Sequence, residues 1–122
     1  MWIFGAIFIA ACLSGTSQAQ TAFDGEYWGE MALTRILGAA CDQPQPGRVR
    51  LLTISNGQVQ FVYNRRFIIV LTGRVDNTGS FNLSGYLPTG PVQMVGRVTG
   101  GDIGATAQSP DCWYAYQGKK HG

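Results

Sequence analysis

Arg50-Leu51-Leu52-Thr53-Ile54-Ser55-Asn56-Gly57-Gln58-Val59-Gln60-Phe61-Val62-Tyr63 is the stretch whose reading decides the fold. Asn-Gly is the commonest two-residue hairpin loop, because a type I′ turn needs positive φ at both central positions. Pairing Ser55 with Gln58 across that turn sets Ile54 opposite Val59, Leu52 opposite Phe61 and Arg50 opposite Tyr63. The large apolar side chains then share one face of an antiparallel pair. Turn chemistry and hydrophobic period point to the same hairpin, and agreement between independent levels is what makes a sequence specify a structure.

Upstream, Tyr27, Gly29, Met31 and Leu33 alternate with Trp28, Glu30, Ala32 and Thr34, the period of a first strand. Residues 36–47 break the pattern, with Pro44 and Pro46 excluding a central strand, and form the longest loop. Downstream, Asn64-Arg65-Arg66 turns the chain into a fourth strand over residues 67–75. Asp76-Asn77-Thr78-Gly79 reads as a three-residue hairpin loop with Gly79 left-handed, setting Val75 against Phe81, Gly73 against Leu83 and Leu71 against Gly85. Beyond the Pro88-Thr89-Gly90-Pro91 turn, Gly100-Gly101 closes another hairpin and sets Val98 against Ile103, Gly96 against Ala105 and Met94 against Ala107. A last strand carries Cys112, Tyr114 and Tyr116 on one face.

Eight strands on short connections predict an all-β fold, an antiparallel up-and-down barrel laid out like lipocalins and avidins, with a two-sheet sandwich as the alternative. Closure removes the two exposed edges that an open meander would present. Connections alternate between the ends of such a barrel, so Cys41, after the first strand, and Cys112, after the seventh, meet at one end beside the seam. They are expected to form a disulfide.

The 122 residues hold one domain, and nine Lys plus Arg against seven Asp plus Glu leave a net charge of +2, with no run of cations to track nucleic acid. Residues 2–13 are almost wholly apolar and Ser17-Gln18-Ala19 fits a small-x-small cleavage site. The expected division is a signal peptide over 1–19, a barrel over 20–117 and a polar tail over 118–122, with no membrane span in the mature chain. Ile9-Ala10-Ala11-Cys12 offers a second reading, a lipoprotein acceptor at Cys12. Either way the expected destination is outside the cytoplasm, periplasmic or extracellular.

Asp24-Gly25-x-Tyr27-x-Gly29, the lone Cys41, Gly57-Gln58-Val59-x-Phe61, Gly73-x-Val75, Gly79-x-Phe81, Val92-Gln93-Met94-x-Gly96 and Ser109-Pro110-x-Cys112-x-Tyr114 together resemble a family of small exported bacterial proteins. The resemblance covers nearly all of the chain beyond residue 20. It implies export, the cysteine pair and a β-rich fold, and it implies no activity.

Little in the chain suits catalysis. His121 is the single histidine and stands next to the end of the sequence, which disfavours a His-based triad or metal site, and no cofactor motif is present. Glu26 and Glu30 flank Trp28 on the outward face, spaced for solvent. The expected function is a non-catalytic binding module. Three tight turns close one end of the barrel, while the other, the open end, bears the longer loops with Arg65, Arg66, Asp42, Asp111 and Tyr86, candidates for contacting another envelope protein. The alternative is a small carrier holding an apolar molecule among Tyr27, Met31, Phe61, Leu71, Met94 and Tyr114. Outside, Val62, Ile68 and Val70 are expected to form an apolar patch, and Trp28 and Trp113 to flank the seam.

Overall fold

The computed structural model describes residues 21–38, 41, 44, 48–64 and 68–121. Its strands are β1 (Gly25–Ile36), β2 (Arg50–Ser55), β3 (Gln58–Asn64), β4 (Ile69–Val75), β5 (Ser80–Leu87), β6 (Gly90–Thr99), β7 (Asp102–Gln108) and β8 (Cys112–Lys120). They form a closed barrel in sequence order, every neighbouring pair antiparallel, with β8 paired back onto β1. The sandwich alternative is thereby excluded. The hairpin registers follow from the turns: Ile54 faces Val59, Val75 faces Phe81 and Val98 faces Ile103. Asn56 and Gly57 take φ of 53° and 78°, as a type I′ turn requires, and Gly79 takes 91°. Cys41 and Cys112 are disulfide-bonded at the open end, Cα atoms 5.5 Å apart.

The core is the barrel interior, where Tyr27, Leu52, Phe61, Leu71, Leu83, Met94 and Tyr116 are fully buried. Glycine makes the wall thin where these large side chains need room. A Cβ at Gly96 would lie 2.7 Å from the Phe81 ring, one at Gly85 2.7 Å from Leu71, and one at Gly73 2.9 Å from Leu83. Interiors close-pack, so these positions are occupied by their neighbours' side chains.

Three boundaries differ from the sequence reading. The expected tail over 118–122 is strand through Lys120: Gly118 pairs with both Gly29 and Ile103, Lys120 pairs with Tyr27, and the His121 N–H donates to the Glu26 carbonyl at 2.8 Å. The reason is length. β1 has twelve residues, and its backbone groups near Gly25 would go unpaired if β8 stopped at 117. β1 likewise runs past Thr34 to Ile36, with a register shift between Leu33 and Arg35. The fourth strand begins at Ile69, because Ile68 adopts φ of 52° and the β3–β4 ladder slips between Val62 and Asn64.

The residues before β1 seal the turn end. Phe23 packs against the core, and the Tyr27 hydroxyl donates to its carbonyl at 2.7 Å. The Asp24 carboxylate accepts the Asn56 N–H at 2.8 Å and the Gly57 N–H at 3.4 Å, fastening the start of β1 to the first hairpin turn.

The disulfide joins residues 71 apart in sequence, so reducing it is expected to lower unfolding free energy by about 4 kcal/mol through the enlarged entropy of the unfolded chain. Urea unfolding of the oxidised and the reduced, alkylated protein checks this. Coincident midpoints would mean that the staple adds nothing to barrel closure.

Candidate functional site

Two regions were singled out from sequence, the open-end loops and the interior. Of the loop candidates, Asp42, Arg65 and Arg66 lie outside the described residues. Asp111 is half-buried and structural: its carbonyl accepts the Leu37 N–H at 2.8 Å and the Gly38 N–H at 3.2 Å, tying the exit of β1 to the disulfide corner. Tyr86 is the opposite case, on the outward face of β5 and 81% exposed. The β5–β6 and β7–β8 connections adjoin, since a Cβ at Gly90 would lie 3.0 Å from Pro110.

The six residues named as ligand-lining all belong to one buried cluster. Phe61 meets Tyr116 edge-on at 4.8 Å between ring centroids, and Tyr63 meets Tyr114 edge-on at 6.0 Å near the open end. Arg50 sits on the inward register of β2 and donates from Nη1 to the Tyr63 carbonyl. Phe23 covers one end of the core, and the Tyr63–Tyr114 pair with the disulfide covers the other. No buried side-chain nitrogen or oxygen among the described residues lacks a partner.

Tyr116 is the polar element of this interior. Its ring lies against Gly118, where a Cβ would sit 2.9 Å from the hydroxyl, and the hydroxyl donates to the Arg50 carbonyl at 2.9 Å. The side chain therefore reaches from β8 across β1, at Gly29, to β2. Burial pushes its phenol well above the ordinary tyrosine range. Burial, with the Asp24 carboxylate second, also raises Tyr27. Both hold their protons and act as donors, which is a structural role.

A trough that the sequence reading missed runs along the outer wall of β6, β7, β8 and β1, with a volume of about 1110 Å³. Gly104 opens its floor, since a Cβ there would meet nothing within 4 Å, and Trp28, Glu30, Val49, Arg97 and Lys119 form its sides. It appears only where the strands curve together, so no local motif announces it. Its described lining holds both charges and no histidine, serine or cysteine. Among the described residues no group of three or more His, Cys, Asp or Glu is placed to hold a metal ion, and no helix is long and apolar enough to cross a membrane.

The expected patch is real and larger than the sequence indicated. Val62 pairs with Val70 across β3–β4, and the β4–β5 register, Thr72 opposite Ser84, brings Tyr86 level with Val70. Tyr86 in turn pairs with Pro91. Val62, Val70, Tyr86 and Pro91 thus form an outward row, with the 82% exposed Ile68 beyond its β4 member.

No protein-family model, no curated protein and no solved structure matches this chain.

Tyr116→Phe is expected to cost about 1 kcal/mol at neutral pH, leaving the Arg50 carbonyl without its donor. The wild-type contribution is complete below the ordinary tyrosine value of 10 and falls as pH rises above it, because the unfolded phenol then releases a proton that the folded one keeps. The variant should therefore lose stability less steeply above pH 10. Chemical unfolding at neutral and alkaline pH reads both effects, and parallel alkaline slopes would contradict the assigned burial.

Proposed function

We propose that this chain is an exported, disulfide-stapled binding module that acts without catalysis, by contact of its open end with another component of the cell envelope. The observation that carries this reading is the gathering of exposed apolar side chains at one end of a barrel whose interior is already filled. Large apolar groups left in water in one region mark an interaction surface. The residues that carry the resemblance to small exported bacterial proteins bear on it from the other side. Asp24, Tyr27, Gly29, Gly57 and Cys112 each have a structural duty here, in capping, closure or stapling, so none is left over for chemistry. The disulfide is compatible with an oxidising compartment, which supports export. A carrier of an apolar molecule would first have to displace the packed cluster of Tyr27, Met31, Phe61, Leu71, Met94 and Tyr114, so contact through the open end is the favoured reading.

Placing a photo-crosslinking amino acid at position 86, on the open-end row, and at position 82, exposed on the wall of β5, tests this in cells. Adducts with an envelope component are expected from 86 and not from 82. Equal labelling, or none from 86, would remove the open end as the contact surface. Arg65→Ala combined with Arg66→Ala is expected to weaken the adduct from 86, and unchanged yield would remove those two residues from the site.

A further inference from the structure

We propose that the surface met by the open end is an anionic phospholipid bilayer, on which the barrel stands end-on. The inference rests on the reading of that end as the contact surface and identifies what it contacts.

The first ground is the distribution of exposed apolar side chains. Among the described residues eight large hydrophobics are exposed, and five of them, Ile36, Leu37, Ile68, Val70 and Tyr86, stand toward the open end. The other three, Trp28, Val49 and Val95, are on the wall, Trp28 and Val49 beside the trough. The five come from the exit of β1, the start of β4 and the end of β5, so they stand on two sides of the rim. A protein partner usually covers one compact patch with a polar border. Apolar side chains on two sides of a rim are met together by a flat surface, and the flat surface of an envelope that takes up apolar groups beneath its headgroups is a bilayer.

Charge is the second ground. Arg35 and Arg48 are exposed at this end, whereas the described acid there, Asp111, is half-buried. The Arg35 guanidinium lies over the Trp113 ring, 4.9 Å from its centroid, placing a cation and an aromatic side by side just behind the apolar rim. That is the composition of a membrane interface, where Trp and Tyr rings sit at headgroup depth and arginines meet lipid phosphates.

The third ground is backbone strain. Ile68 is β-branched, 82% exposed, and held at φ of 52°, a conformation that costs such a residue and that Asn or Gly adopts far more easily. It closes the β3–β4 turn, so the chain leaves an isoleucine in water at a position where a small or polar residue would turn as well.

The same geometry supplies a clean test. Ile68→Asn removes the apolar tip and relieves the φ, so the variant is expected to fold at least as well as wild type. Wild type and Ile68→Asn,Tyr86→Ser are recovered from the envelope fraction after identical export, so that any effect of residues 1–20 is common to both. Each is sedimented with vesicles of phosphatidylethanolamine containing phosphatidylglycerol, or of phosphatidylcholine alone. Wild type is expected to bind the anionic vesicles, to release as salt is raised, and to bind the neutral ones weakly. The double variant is expected to partition about tenfold less, since two large apolar contacts are lost. Absence of wild-type binding, equal binding to both vesicles, or undiminished binding by the double variant would each overturn the proposal. If vesicle binding fails while position 86 still crosslinks an envelope protein in cells, the open end remains the contact surface and the lipid assignment alone falls.

Discussion

The structure depends on how closely β8 can approach β1. Gly29 faces Gly118 across that seam, and a Cβ on Gly29 would overlap the Gln117 carbonyl. The seam needs glycine at 29 for that approach, and glycine at 118 leaves room for the Tyr116 ring. Tyr116 then uses the space, laying its ring against Gly118 and carrying its hydroxyl to the Arg50 carbonyl. One pair of glycines and one tyrosine thus join three strands, β8, β1 and β2, from inside. With the seam closed no strand is an edge, so the chain avoids the open ladder that makes a long meander prone to self-association.

Closure also determines what the remaining surfaces can do. A small eight-stranded barrel is wide enough either to be filled by its own side chains or to hold one ligand. This one is filled, because Phe81 lies over Gly96 of the neighbouring strand, Tyr116 lies over Gly118, and Phe61 meets Tyr116 edge-on between them. The turn end is fastened by Phe23 and by Asp24 on the first hairpin turn. The open end is stapled by the disulfide and tied by the Asp111 carbonyl. A body so constructed meets other molecules with its outside, and its two ends differ sharply. Acids and lysines surround the tight turns, while the other rim carries the exposed isoleucines, leucine and tyrosine.

Strain and exposure coincide at Ile68. Among the described residues Asn56 and Ile68 are the two non-glycine residues with positive φ, Asn56 in the first hairpin turn and Ile68 in the β3–β4 turn. Ile68 has the least suitable side chain for the left-handed region and the largest exposure among the exposed hydrophobics. A small or polar residue would make the same turn at lower cost, because a β-branched side chain crowds the backbone in the left-handed region.

The sequence by itself determined the number of strands, the registers of the three hairpins on tight turns and the end at which the cysteines meet. Each follows from local rules: Asn56-Gly57, Gly79 and Gly100-Gly101 specify hairpin geometry, and a side-chain period of two then assigns every neighbour to inside or outside. The patch of Val62, Ile68 and Val70 was legible for the same reason. Tertiary structure alone decided the rest. That β8 continues to Lys120 depends on the length of β1, with whose Tyr27 it pairs. That Asp24 caps a turn, that Tyr116 binds β2, that Tyr86 joins the β3–β4 patch and that a trough opens over Gly104 all depend on strands distant in sequence being curved together. Local propensity carries no term for such contacts, and packing between remote segments supplies them only once the barrel has closed.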